Sequence, residues 1–281
     1  MPIQWYPGHM TKAKRMMQED IRLIDLVIEL LDARIPRSSR NPDIDELAKG
    51  KSRLVLLNKS DLSDPEINEK WYQYFKQKGF VTLLTDSKNR KGFGPIHAAV
   101  EEACAEKLMR DRKKGITGRP VRAMVVGIPN VGKSTFINSL CKKASAKTGN
   151  RPGVTKGKQW IRLDKSVELL DTPGILWPKF EDEKTGINLA LIGSISDQII
   201  DEGELAAMLI DHIRKHSPGI MAGRYEIDEN DETAAIFDAI ALKRGCIKKG
   251  GLPDYDKAAH IILDDLRSGK LGRISLEEPE Q

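Results

Sequence analysis

Cysteine is scarce in this 281-residue chain. Cys104, Cys141 and Cys246 lie far apart, with no C-x-x-C and no metal-ligand spacing. That excludes a disulfide framework and a clustered zinc site, and it fits ordinary thiols in a reducing cytosol. Long apolar runs are missing as well: none reaches the ~20 residues that span a bilayer. The first residues, with Trp5, Tyr6 and Pro7 followed by basic side chains, do not form a signal peptide. A cytoplasmic protein with no membrane partner is therefore expected, and a monomer. There is no internal repeat and no low-complexity segment. What is present is a globular balance, 40% hydrophobic and 31% charged, and the length leaves room for two cored domains. A net charge of +5 and a pI near 8.9 favour a polyanionic partner.

The most informative stretch is Gly127-Ile128-Pro129-Asn130-Val131-Gly132-Lys133-Ser134. It matches G-x-x-x-x-G-K-[ST], with a strand expected before it (122–126) and an amphipathic helix after it (133–140). In such a loop the backbone N–H groups of Asn130, Val131, Gly132, Lys133, Ser134 and Thr135 turn inward on a phosphate, helped by the helix N-terminus. Lys133 would neutralise the β/γ-phosphates, and the Ser134 hydroxyl would coordinate Mg²⁺.

Upstream, strand, loop and helix alternate. Strands are expected at 25–31, 53–57 and 80–84, and helices at 10–22, 44–49, 65–78 and 95–110, which predicts an α/β layer on a parallel sheet. Loops at the carboxyl ends of such strands bind ligands, and they hold Asp32, Asn58 to Asp61 and Asp86-Ser87-Lys88. Downstream, 146–158 is glycine-rich and polar, and strands at 159–163 and 167–170 lead into Asp171-Thr172-Pro173-Gly174. Beyond 178 only helical periodicity remains, with Leu205, Leu209 and Ile213, then Ile236 and Ile240, then Ala258, Ile262 and Leu266. The expected division is 1–178 and 179–281.

Asn58-Lys59-Ser60-Asp61 fits N-K-x-D, which selects guanine. A carboxylate at Asp61 can accept from both the ring N–H and the exocyclic amine, whereas adenine would leave it unpaired. Asn58 and the Lys59 stem would brace the loops and cover the base. Asp171 to Gly174 fits D-x-x-G: Asp171 would hold Mg²⁺ through water, and the Gly174 N–H would sense the γ-phosphate. Thr155 is the candidate second hydroxyl ligand to Mg²⁺. Alone, each short motif is more often a surface turn; together, each at a strand end, they point to GTP and GDP.

The motif order is unusual, because N-K-S-D and the Ser-Lys segment precede the phosphate loop. The sequence therefore resembles the circularly permuted GTPases. The W-x-P-G-H-M at Trp5 to Met10, the D-A-R-x-P at Asp32 to Pro36 and the helical C-terminal region resemble the ribosome biogenesis GTPase A (YlqF-type) family. The resemblance implies a P-loop GTPase fold with permuted motifs plus an all-helical RNA- and ribosome-binding domain at 179–281. It also implies a role in late assembly of the large (50S) subunit, rRNA binding, release on hydrolysis, and hydrolysis that is slow alone and stimulated by the particle. Lys243, Arg244, Lys248, Lys249, Arg267, Lys270 and Arg273 are candidate phosphate contacts, or a solvated charged face. Ile175 stands where many GTPases place a water-orienting glutamine, so His9 is a candidate to orient or deprotonate the water, or a turn residue. Asn130 resembles the residue of GTPases that bind K⁺ beside the phosphates, or it bonds within its own loop. A switch in another RNA-related process and a slow-turnover nucleotide-binding RNA chaperone are the alternatives.

Overall fold

The computed structural model of the chain describes residues 15–116, 118–141, 159–163, 165–172, 182–195 and 200–280. Six strands form one sheet in the order β3-β2-β1-β4-β6-β5. They are β1 (Leu26–Asp32), β2 (Ser52–Asn58), β3 (Val81–Thr85), β4 (Val121–Val126), β5 (Gln159–Arg162) and β6 (Val167–Asp171). All neighbours are parallel except β5 against β6. Strand β1 is buried along its whole length because both faces are covered. Successive side chains point to opposite faces, so Leu26, Ile28 and Leu30 join one core while Val27 and Leu31 pack on the other side. Its carboxylate, Glu29, is buried but sits 2.5 Å from Arg53 and 3.7 Å from Arg40.

The helices of this layer are α1 (Asp43–Leu47), α2 (Pro65–Gln77), α3 (Ile96–Ala103), α4 (Ala105–Lys113) and α5 (Lys133–Cys141). Asp64 starts α2 by accepting from the N–H groups of Glu66 and Ile67. Trp71 and Phe75 then seat this helix on Val55 and Leu57. The sequence pattern suggests one helix over 95–110, but the structure interrupts it at Cys104 (φ −99°, ψ 9°). The break falls where burial ends: Ile96, Ala99, Val100 and Cys104 are buried against the sheet, whereas no residue of α4 is fully buried.

After residue 182 the described chain is helical, apart from a bridge between Ile247 and Pro253. The helices are α6 (Glu183–Leu191), α7 (Glu202–His216), α8 (Ile220–Tyr225), α9 (Thr233–Lys243) and α10 (Tyr255–Ser268). The short periodic patterns of α6 and α8 are not distinguishable in the sequence. Asp201 and Asp254 cap α7 and α10 through the Glu204 and Lys257 N–H groups. Leu205, Leu209 and Ile213 are buried with Ile262, Leu263 and Leu266 in one cluster that continues into the strands.

The final segment returns to the sheet layer. Ile274 N–H donates to the Leu62 carbonyl and Leu276 N–H to the Arg34 carbonyl, each at 2.9 Å. The Arg273 guanidinium donates to the carbonyls of Ser60 (3.0 Å) and Ser63 (2.8 Å). Glu277 is buried and accepts from Arg37 N–H (2.8 Å), the Asn188 amide (2.9 Å) and the Ser38 hydroxyl. Burial pushes the Glu277 carboxyl above the usual carboxylate range, against these donors. Residues 273–277 are thus held by the guanine-motif side of the sheet although they follow the helices in sequence.

Candidate nucleotide site

Parallel pairing brings five strand ends to one edge of the sheet. The register aligns Asp32 with Asn58, Asn58 with Thr85, and Val125 with Asp171. The guanine-type motif therefore lies beside the phosphate loop although 73 residues separate Asn58 from Val131.

Asn58 makes the join. Its amide donates to the Val131 carbonyl at 2.8 Å, and its Oδ1 accepts from Ser87 N–H (3.1 Å), Ser87 Oγ (2.7 Å) and Thr85 Oγ1 (3.2 Å). One buried side chain thus ties together the loops after β2, β3 and β4. Removing it would orphan several buried groups, each at ~1–3 kcal/mol. Its position also explains Gly132, which has φ +100°: a Cβ there would lie 2.6 Å from the Asn58 amide nitrogen. Ser139 on α5 adds a second tie by donating to the Ser87 carbonyl at 2.6 Å.

Lys59 has a left-handed backbone (φ 59°), and its ammonium lies 3.0 Å from Asp32 Oδ2. Asp32 is completely buried and is also gripped by Arg34, through Nε (2.9 Å) and Nη2 (2.8 Å). Burial acts to raise the Asp32 pKa, but the charges of Arg34 and Lys59 outweigh it and hold the carboxyl far below its ordinary value. Arg34 Nη1 also donates to the Leu266 carbonyl, at 3.2 Å, near the end of α10. The D-A-R motif thus fastens Lys59 to the C-terminal helices, a link the sequence pattern did not disclose.

Asp61 is half-buried at the same edge. Burial raises its pKa and the Asp86 charge adds to this, while its own backbone N–H, Arg34 and Lys88 act in the other direction. Lys88 is exposed beside it. Asp86, a candidate nucleotide contact, spends its carboxylate on Asn89, accepting from the N–H (2.9 Å) and the side-chain amide (2.8 Å). Ser87 likewise points into the brace around Asn58. Both shape the loop.

In the phosphate loop, Lys133 is buried and donates to the carbonyls of Gly127 (2.9 Å) and Ile128 (2.8 Å). Its ammonium is thereby held against the start of the loop. Ser134 and Thr135, both half-buried, follow in the first turn of α5. Asn130 has φ +59°, and its amide donates to the Gly193 carbonyl at 2.6 Å. That bond leaves its own loop and reaches the turn after α6. Ser194 adds a second tie there, donating to the Pro129 carbonyl at 2.8 Å. Asp171 is placed by its backbone opposite Val125, and Thr172 Oγ1 donates to the Val125 carbonyl at 2.6 Å. His9, Thr155, Gly174 and Ile175 lie outside the described residues.

Six of the seven cations expected to meet RNA on the helical part have other partners, and exposed Lys249 has none among the described residues. Arg267 donates to the Leu191 and Ala190 carbonyls, Arg273 to Ser60 and Ser63, and Arg244 to the Arg224 carbonyl. Lys243, Lys248 and Lys270 pair with Glu226, Asp256 and Asp264. Residues 179–281 hold 13 Lys and Arg against 21 Asp and Glu, a net charge of −8. The expectation of a basic face on the helical region is thereby corrected.

The family model for 50S ribosome-binding GTPases matches residues 122–240. Ribosome biogenesis GTPase A from Bacillus cereus is 49% identical over 282 residues, covering 100% of this chain and 95% of that protein. The chain belongs to the ribosome biogenesis GTPase A family. It is a GTPase with the permuted motif order read above. The crystal structure of GNP-bound YlqF from T. maritima superposes with a TM-score of 0.67 at 30% identity, covering 96% of this chain and 99% of that one. The GDP-bound structure of TM YlqF gives 0.68 at 30% identity, covering 95% of this chain and 100% of that one. Family membership accounts for the β1-to-β4 crossover: the guanine half of the sheet precedes the phosphate half in the chain. Among the described residues no helix is long and apolar enough to cross a membrane.

Proposed function

We propose that this GTPase is an assembly factor for late maturation of the large (50S) ribosomal subunit, that it binds ribosomal RNA, and that GTP hydrolysis releases it. The observation that carries this reading is the Asp32–Arg34–Lys59 chain. It joins the guanine motif to the Leu266 carbonyl, so a change in nucleotide can be felt by the helical region. In this reading residues 1–178 are the GTPase unit and 179–281 the unit that engages the particle. The protein acts as a cytoplasmic monomer.

Asp61 recognises guanine, Asn58 holds its loop against the phosphate loop, and Lys59 covers the base while Lys88 flanks it. Main-chain N–H groups from Asn130 to Thr135, with Lys133, bind the phosphates. Ser134 lies in the first turn of α5, and Asp171 ends β6 at the same sheet edge. With Thr155 they make an all-oxygen donor set of the kind Mg²⁺ prefers, and the ion would neutralise charge on the β- and γ-phosphates. Gly174 reads the γ-phosphate and His9 orients the water.

Turnover of GTP should be slow for the protein alone and rise at least ~10-fold when purified large subunits are added, as measured by phosphate release. Equal rates would leave a nucleotide-binding RNA chaperone as the better reading.

Asn130 is proposed to present its carbonyl oxygen to a K⁺ ion beside the phosphates while its amide holds Gly193. Hydrolysis should be faster in K⁺ than in Na⁺ at matched ionic strength. Asn130→Gly tolerates the left-handed backbone and should erase that difference. Loss of the Gly193 tether alone would slow both salts alike, so an unchanged K⁺/Na⁺ ratio would restrict Asn130 to bracing.

A further inference from the structure

The net charge of +5 on the whole chain and −8 on residues 179–281 leave +13 on residues 1–178. A polyanion is therefore favoured by residues 1–178, which include the sheet layer, over the helical region. Within that layer, residues 105–122 carry seven Lys and Arg against two acids. Of these acids, Asp111 is paired with Lys107 at 2.8 Å. Asp25 takes up Arg119 (3.5 Å) and a second contact of Lys107 (3.6 Å). Among the described residues, Arg110, Arg112, Lys113, Lys114 and nearby Lys165 have no acidic partner within 4 Å, and all five are exposed.

Two of these cations, Arg112 and Lys165, line a groove of about 450 Å³ between α3–α4 and the first residues of β4 and β6, and Lys113 and Lys114 follow Arg112 in the chain. Val100, Val121 and Val167 are buried at its base. Arg112, Arg119 and Lys165 line its sides with Met109, which is 55% exposed. Glu101 is the one acid among the described residues lining it. The groove opens at the amino ends of the parallel strands, across the sheet from the phosphate loop. Basic residues in the last turn of α4 would complement its terminal carbonyls, but that accounts for neither Lys114 and Lys165 nor the apolar base.

We infer that this groove is an RNA-binding surface that takes an unpaired nucleotide, its base on the valine floor and Met109 and its flanking phosphates on Arg112, Lys113, Lys114 and Lys165. Apolar base with cationic rim is the pairing that single-stranded RNA requires, because unstacked bases need a nonpolar face and each phosphate needs a cation. An acidic protein segment would use the rim but not the floor. The inference rests on the ribosomal reading only for which RNA is met in the cell. Since nucleotide binds at the other sheet edge, GTP and RNA can be held together.

The test uses the full-length triple variant Arg112→Ala/Lys113→Ala/Lys114→Ala, with Lys243→Ala/Lys248→Ala/Lys270→Ala as comparator. A fluorescent oligouridylate and purified large subunits are the probes. All three substituted positions in the first variant are exposed, so GDP affinity and intrinsic hydrolysis should be unchanged. Oligouridylate binding should weaken at least ~10-fold, and its log–log salt slope should become shallower by ~2, since each single-strand phosphate contact contributes ~0.7. The comparator should match the parent protein. Unchanged affinity and slope in the first variant would overturn the inference. So would loss of subunit binding with oligouridylate binding intact, which would assign the surface to an acidic protein. Failure of the parent protein to sediment with large subunits would instead refute the ribosomal reading and leave the oligouridylate result to decide the groove.

Discussion

Asp61→Asn should exchange guanine for xanthine recognition. In the proposed reading the carboxylate accepts from two donors on guanine, and hydrogen bonds to a charged group contribute ~1.5–3 kcal/mol each. Losing both predicts a ~10²–10⁴-fold fall in GTP and GDP affinity. Xanthine carries a carbonyl where guanine has its exocyclic amine, and an asparagine amide can donate to it, so xanthosine nucleotides should gain what guanosine nucleotides lose. Asp61 is half-buried, and no described ion pair involves it, so the substitution should leave the fold intact. Burial already raises its pKa, which means the charged form is held at some desolvation cost and is stabilised when donors arrive. Displacement of a fluorescent GDP by GTP, XTP and ATP reads the result. Equal competition by ATP and GTP in the parent protein would sink the guanine assignment.

His9→Ala should keep nucleotide and particle binding while losing ~10²–10⁴ of the particle-stimulated rate, the usual effect of removing an acid–base or orienting group. Ile175 follows D-T-P-G in the sequence, and a hydrocarbon side chain cannot orient water. In the proposed reading the water is placed by a residue from elsewhere, and the candidate is His9, which follows Pro7-Gly8 in the sequence and precedes Lys12, Lys14 and Arg15. The slow rate of the protein alone should change little if, as proposed, His9 acts only on the particle. Lys133→Ala is the contrasting control: its charge meets the phosphates in the ground state as well, so it should damage binding itself. Single-turnover hydrolysis with saturating large subunits distinguishes the two. Near-parental stimulated turnover in His9→Ala would return His9 to a turn residue or RNA contact.

The phosphate loop, the guanine motif and the strand–helix alternation were legible because each is a local pattern. A run such as Leu26 to Leu31, short, apolar and followed by a turn, reads as a strand covered on both faces, and Gly127 to Ser134 admits few uses. Motif order alone disclosed the permutation, because the strand ends converge however the chain is cut. The break at Cys104 was not legible, since one periodic stretch continues through it, and burial against the sheet decides where a helix turns away.

The tertiary structure decided what each polar side chain is for. Asn58 had to meet Val131 across 73 residues, and Arg34 had to meet Leu266 across 232, before either could be called a brace. Arg267 and Arg273 look like RNA-facing cations in the sequence, yet folding brings backbone carbonyls to them, while Arg112, Lys113 and Lys114 receive no acid among the described residues. A hydrophobic period is written in the residue order. The pairing of charges depends on which groups come together once the chain is closed, because exposed charges more than ~8 Å apart are largely screened.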